Sequence, residues 1–356
     1  MTIEHKHNTV SPIAADWLLR AINPFATQAP RTDRLPAQDV ESLLKAAELH
    51  GVLPLVLKAL KAYSEGTAEN SWLFGSAADI AAANDAVRSA RTLQLHQTGL
   101  ELLLVHHAQQ ILAKLQAVGG TAAIVKGPVF ARRLYAVPGF RTFTDVDLLI
   151  SPSDRDATKA IMTGLGFMLA EQAYRGSEEY FEDKWFLKKN PQVLIEIHSN
   201  LVHNPRLRRS ASVALDNVMD AGAGDFEDAT ALLFVAAAHG ALSHQFDRLQ
   251  HVLDVALAAS GRAGPVDADR LRHVAEASGV VTPVYAGLSL ASRMFPHPAL
   301  LPLARTLQPR LSTRLAAGLV TPRVVLDARS QQRGHSSWRR KAFRQLIRLT
   351  GSRQKL

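Results

Sequence analysis

The chain has 356 residues, 47% of them hydrophobic and 21% charged, a composition that builds a packed core and excludes a largely disordered or fibrous protein. It contains no cysteine, which removes disulfide frameworks, thiolate zinc sites, iron–sulfur clusters and cysteine nucleophiles together. Its 41 Lys and Arg against 32 Asp and Glu give +9, and the segment from Arg329 to Leu356 alone carries nine basic residues and no acid, so the rest is neutral overall. The first thirty residues show no basic start followed by an apolar stretch, and no run of 18 apolar residues occurs, which points to a cytoplasmic protein with no transmembrane segment.

In chain order, Ile13 to Ile22, Asp39 to Ala62 and Ser71 to Val118 carry apolar residues at spacings of three and four, the helical period, and no strand pattern competes there. The stretch from Asn84 to Val118 is long for one globular helix, so a kink or break is expected near Gly99. Gly119-Gly120 ends it. The period then changes: TAAIVK (121–126), VDLLI (146–150) and VLIEIH (193–198) read as short strands. Asp154 to Leu165 reads as a helix ending at Gly166, and Tyr180 to Leu187 as a further strand leading to an Asn190-Pro191 turn. From Asp228 the helical period returns, over Ala229 to Gly240, Phe246 to Ala259, Asp267 to Ala277 and Pro283 to Met294. Trp338 to Leu349 reads as a basic amphipathic helix, able to meet nucleic acid, an anionic membrane surface or an acidic partner, or to dock by its apolar stripe. The expected class is α+β, a small mixed β-sheet flanked by N-terminal and C-terminal helical regions. The expected divisions are 1–118, 119–205, 206–328 and a basic tail at 329–356.

The chemistry concentrates around the strands. Asp145-Val146-Asp147 opens VDLLI, and residues i and i+2 of an extended chain project from one face, so two carboxylates converge. Unpaired, they repel, a cost best relieved by a hard divalent cation such as magnesium or manganese. Glu196 stands inside an otherwise apolar strand, where an acid is expensive unless it is paired or metal-bound, and His198 shares its face. Three carboxylates from two strands would make a site for two-metal phosphoryl chemistry, with Asp145, Asp147 and Glu196 as ligands. Upstream, Lys126-Gly127-Pro128 joins a strand to a helix spanning Val129 to Tyr135. A glycine turn at a helix N-terminus, with a lysine beside it, suits a phosphate group. Arg141, four residues before Asp145, is placed to reach phosphate oxygens, whereas Arg132 and Arg133 read as an exposed helix face. His239, His244 and His251 stand at offsets of five and seven, which do not make the i, i+4 pair of a zinc helix. They read as packing groups or a cleft wall. No GxSxG elbow appears.

The string KGPVFARRLYAVPGFRTFTDVDLLI (126–150) followed by IEIH (195–198) resembles the uncharacterised nucleotidyltransferase family of the polymerase-beta-like superfamily. Lys126, Gly127, Tyr135, Pro138, Gly139, Arg141, Asp145, Asp147, Glu196 and His198 match its pattern. A weaker match continues through HGALSHQFDRLQHVLDV (239–255), at His239, His244, Arg248 and Asp254. Lys126-Gly127 stands where the wider superfamily has Gly-Ser, and Ser199-Asn200 where an aromatic commonly follows Glu-x-His.

The resemblance implies a nucleotidyltransferase core at 119–205 that moves NMP from an NTP, with ATP the expected donor, to a hydroxyl acceptor and releases pyrophosphate. The acceptor is a protein, a small molecule or RNA. Asp145, Asp147 and Glu196 would be catalytic and hold Mg2+ or Mn2+, Lys126, Gly127 and Arg141 would bind the nucleotide, and His198 would be accessory. The alternative is a catalytically silent nucleotide-binding or protein-interaction module of the same fold.

Overall fold

The computed structural model describes residues 11–26, 35–65, 73–173, 180–327 and 337–350. The basic tail is thus described only for 337–350, and Ser71 and Trp72 of the third N-terminal stretch fall outside the described residues.

Helix α1 (Pro12–Ile22) begins where the Ser11 side chain accepts from the Ala14 amide and Pro12 supplies a first-turn residue without an N–H. The stretch from Asp39 to Ala62 forms two helices, α2 (Val40–Leu49) and α3 (Leu53–Glu65), because Gly51 at φ +71° turns the chain between them. Helix α4 (Ala77–Ala117) starts at a Ser76/Asp79 capping box and runs 41 residues. The break expected near Gly99 is absent. A lone glycine costs a helix about 1 kcal/mol, and packing at both ends of α4 outweighs that: Ala83 and Val87 enter the helical core, while Leu104, Ala108, Ile111 and Leu115 lie on the sheet. Two short strands, β1 (Leu35–Pro36) and β2 (Leu73–Phe74), form a parallel bridge too brief to leave an alternation in the sequence.

The main sheet contains β3 (Ala122–Ile124), β4 (Val146–Ile150), β5 (Phe167–Ala173), β6 (Glu182–Leu187) and β7 (Asn190–His198), in the order β3-β4-β7-β6-β5. Strands β4 and β7 are parallel and every other pair is antiparallel, so the sheet is mixed. Strand β5 has no counterpart in the predicted elements. The turn between β6 and β7 falls at Lys188-Lys189 instead of Asn190-Pro191, with Pro191 near the start of β7, a position where its missing N–H is tolerated. Helix α5 (Gly127–Leu134) connects β3 to β4, and α6 (Arg155–Gly164) follows β4.

Strand β4 is buried on both faces, and its alternation sorts its side chains between two cores. Val146, Leu148 and Ile150 face α4 together with Val193, Ile195 and Ile197 of β7. Leu149 faces the other way, into the helical core, and Asp147, two residues before it, shares that direction.

That second core is roofed by the C-terminal helices: α7 (Pro205–Arg208), α8 (Leu215–Ala221), α9 (Ala229–Leu242), α10 (Leu249–Ala259), α11 (Ala268–Ala277), α12 (Val281–Met294), α13 (Leu300–Thr306), α14 (Leu311–Leu319), α15 (Pro322–Leu326) and α16 (Trp338–Thr350). All fourteen residues of α9 are buried, as its all-round apolar sequence requires, and α8, α10, α11 and α12 surround it. The same core takes in α1, α2, α3 and α5. Helix α16 docks by its apolar stripe: Phe343 and Ile347 are buried against this core, and the buried Arg340 donates to the Val324 carbonyl at 3.0 Å. Among the described residues no helix is long and apolar enough to cross a membrane.

Candidate active site

The parallel register of β4 and β7 places Asp147 opposite Glu196 and Leu149 opposite His198, so two strands distant in sequence present one polar face toward α9 and α10. Asp145 lies just before β4, and it lines the same cleft of about 400 Å³ as Asp147, Lys126, Gly127 and Arg141. Ligand atoms of Asp147, Glu196 and His198 fall within 4.8 Å of one another; Asp145 stands outside that trio.

Charges within the cluster are matched. Lys126 Nζ lies 2.8 Å from Asp147 Oδ2, and His198 Nε2 lies 3.0 Å from Asp147 Oδ1 and 3.4 Å from Glu196 Oε2. Lys184 of β6, opposite Glu196 in the register, approaches its Oε1 at 3.3 Å. Burial alone would raise the carboxyl of Asp147, but Lys126 and His198 hold it far below the usual range. Asp145 moves the other way, because burial and the neighbouring Asp147 charge both push its carboxyl up. Burial would lower His198, yet its hydrogen bonds with Asp147 and Glu196 win and push it up to about 9.

At the turn after β3, Gly127 has φ +39°, and a Cβ there would stand 3.4 Å from the Asp145 carbonyl, so the turn packs directly on the carboxylate segment. Lys126 Nζ also lies 3.0 Å from His239 Nε2 of α9. Burial and Lys126 push the His239 imidazole well below its usual value, so the neutral ring accepts from the lysine. Thus Lys126 bridges the sheet and the helical roof.

Arg141 is buried deeper than a free phosphate ligand. Its Nε and Nη2 donate to the two oxygens of Asp254 at 2.9 and 2.8 Å, and the Tyr135 hydroxyl donates to the same carboxylate at 2.8 Å. Arg141 nevertheless lines the cleft, and the rest of its guanidinium is the part left to address a ligand. Arg132 pairs with Glu227, and Arg133 donates to the Glu227 and Ala263 carbonyls, so both tie α5 to the helical roof. Helix α4 braces Phe143, through Glu101 to its amide and through Gln97, which itself lines the cleft, to its carbonyl.

The helical wall of the cleft is rich in imidazoles. From β7 to α10, rings of His198, His203, His239, His244 and His251 follow one another with centroids 4.4 to 6.4 Å apart. Sequence reasoning missed Asp247, which stands between His244 and His251; the i, i+4 spacing of Asp247 and His251 was the available signal. It also missed Lys184, which shows only through strand pairing.

Asp145 and Asp147, a lysine at a glycine turn and a roofing helical wall line one cleft, and Glu196 of the adjacent strand stands opposite Asp147. The family model described as uncharacterised nucleotidyltransferase matches residues 36–296, more than half of the chain and all of the cleft residues named above. No curated protein and no solved structure matches the chain. By that match over the helices and the sheet alike, the chain belongs to the uncharacterised nucleotidyltransferase family.

Proposed function

We propose that the protein transfers NMP from an NTP, ATP in the first instance, to a hydroxyl acceptor at the Asp145, Asp147 and Glu196 cluster. The observation that carries this reading is the register pairing of Asp147 with Glu196, where Asp147 and its partner Lys126 line a cleft large enough for a nucleotide.

The residues fit a hard divalent cation. Their donors are carboxylate oxygens, and burial together with the neighbouring Asp147 charge raises the Asp145 carboxyl, a cost that a bound cation would relieve. Asp145, Asp147 and Glu196 would hold Mg2+ or Mn2+, which when bound supplies charge neutralisation on the triphosphate. Lys126 and the Gly127 amide bind phosphate oxygens, and Lys126 exchanges its contact with Asp147 for them. Arg141, fixed by Asp254 and Tyr135, positions the segment leading to Asp145 and offers its remaining donors to the triphosphate. The acceptor oxygen attacks the α-phosphorus, its proton passes to Glu196, and the bond to the β-phosphate breaks to release pyrophosphate. His198 holds Asp147 and Glu196 in place through one ring nitrogen.

A silent binding module would be expected to shed clustered acids that only destabilise its sheet; all three are present. The basic tail gives limited support to an RNA acceptor, since Arg340 is spent inside the fold. Incubation of the purified protein with each α-labelled NTP and magnesium, with and without cell extract, tests the reading. Label is expected in one of the protein, RNA or small-molecule fractions, and lost in Asp145→Asn. NTP binding with no label in any fraction would leave the silent module.

A further inference from the structure

Across the cleft from the carboxylates lies a second group of ligand-type side chains. His244 and Asp247 sit in the loop joining α9 to α10, and His251 sits one turn into α10. Nδ1 of His251 and Nδ1 of His244 lie 3.2 and 3.8 Å from the same atom, Asp247 Oδ1. The three ligand atoms fall within 4.8 Å of one another. The His244 and His251 rings lie side by side, with centroids 4.4 Å apart and planes inclined by 34°. Nδ1 of His251 is buried, with Asp247 Oδ1 as its near neighbour.

The loop is held in a strained form. Gln245 and Phe246 have φ of +50° and +51°, the left-handed region that strains residues other than glycine. Burial of the Phe246 ring, the hydrogen bond from its amide to the Gly240 carbonyl at 2.8 Å and the Arg340 guanidinium donating to its carbonyl at 3.5 Å keep it there. A Cβ on Gly240 would meet the Phe246 ring at 2.8 Å, so the glycine is what lets the ring pack. The α16 helix therefore braces the segment that presents His244 and Asp247.

We propose that His244, Asp247 and His251 bind a divalent transition ion of the zinc class, with a coordination position left open to the cleft. Two imidazoles and one carboxylate are the donor set that such ions select, whereas magnesium prefers the all-oxygen cluster opposite. His244 and His251 line the cleft shared with Lys126, Asp145 and Asp147, so the open position receives an oxygen ligand from it, water or an acceptor hydroxyl. Ion binding here does not rest on the transferase reading.

The test uses the full chain, stripped with chelator and titrated with Zn2+ by calorimetry and with Co2+ by visible absorption, in millimolar magnesium. About one equivalent is expected to bind, with at least about tenfold weaker binding in His251→Ala and in His244→Ala, whose side chain is the more exposed of the two. Circular dichroism confirms the fold of each variant. Asp147→Asn, which disables the competing Asp147, Glu196 and His198 group, should bind as the wild type does. No binding by the wild type, full binding by both histidine variants, or binding lost in Asp147→Asn would each overturn the proposal.

Discussion

The two walls of the cleft are built by opposite means. The carboxylate wall rests on the strands: Glu196 and His198 share a face by two-residue spacing, one parallel register sets Asp147 opposite Glu196, and Asp145 lies just before β4 in the same cleft as Asp147. The imidazole wall comes from α9, a strained loop and α10, and its members meet only because a buried phenylalanine and a docked terminal helix fix that loop. In the first wall only the register between two strands is non-local, whereas the second depends on the whole fold. Arg141 and Asp254 tie one to the other, as does Lys126 with His239.

The comparison breaks hardest at the sheet. Asp147→Asn is expected to lower transfer by about a thousandfold or more while far-UV circular dichroism stays unchanged. Transfer within a few-fold of the wild type would remove Asp147 from its assigned role.

Next in size is the tie between the walls. Asp254→Ala leaves the buried Arg141 guanidinium and the Tyr135 hydroxyl without their shared acceptor, and is expected to cost about 3–5 kcal/mol in thermal or urea unfolding. A cost below about 1 kcal/mol would mean that the walls stand independently.

Behind the sheet wall, Glu101 is buried in α4 beneath the Phe143 peptide, and burial pushes its carboxyl from 4.5 up to about 7 against the pull of its hydrogen bonds with the Phe143 amide and Gln97. The folded chain thus binds this proton more tightly than the unfolded one, so the group's contribution is most favourable at low pH and falls as pH rises from 4.5 through 7. Glu101→Gln should therefore be more stable than the wild type at pH 8, by on the order of 1 kcal/mol, with the gain vanishing toward pH 4. Melting temperatures across that range check the sign, and a gain that grew on acidification would contradict it.

The smallest effect probes α4 as one rod spanning the helical core and the sheet. A Cβ at Gly99 meets nothing within 4 Å, so Gly99→Ala should stabilise by about 0.5–1 kcal/mol. Destabilisation in a melting experiment would indicate the break that the unbroken helix lacks.

These elements also show what could be read in advance. VDLLI and the Glu196 strand were recognisable because apolar alternation interrupted by an acid is conspicuous, and the Lys126-Gly127 turn because it joins a strand to a helix. Helices α9 to α12 followed from their period. Strand β5 escaped because FMLAEQA alternates poorly. Continuity through Gly99 escaped because propensity is local, whereas packing at the two ends of α4 decides the outcome. The commitment of Arg141 to Asp254, 113 residues away, and the pairing of Asp247 with His244 and His251 depend on tertiary placement that the spacing between motifs does not encode.

The most direct test of the central claim is to supply the same NTP labelled at the α-phosphate in one reaction and at the γ-phosphate in another, with magnesium and the responsive extract fraction. Nucleotidyl transfer predicts acceptor labelling from the α position alone, with the γ label recovered in pyrophosphate, and neither in Asp145→Asn. Acceptor labelling from the γ position would make the protein a phosphoryl transferase and contradict the account.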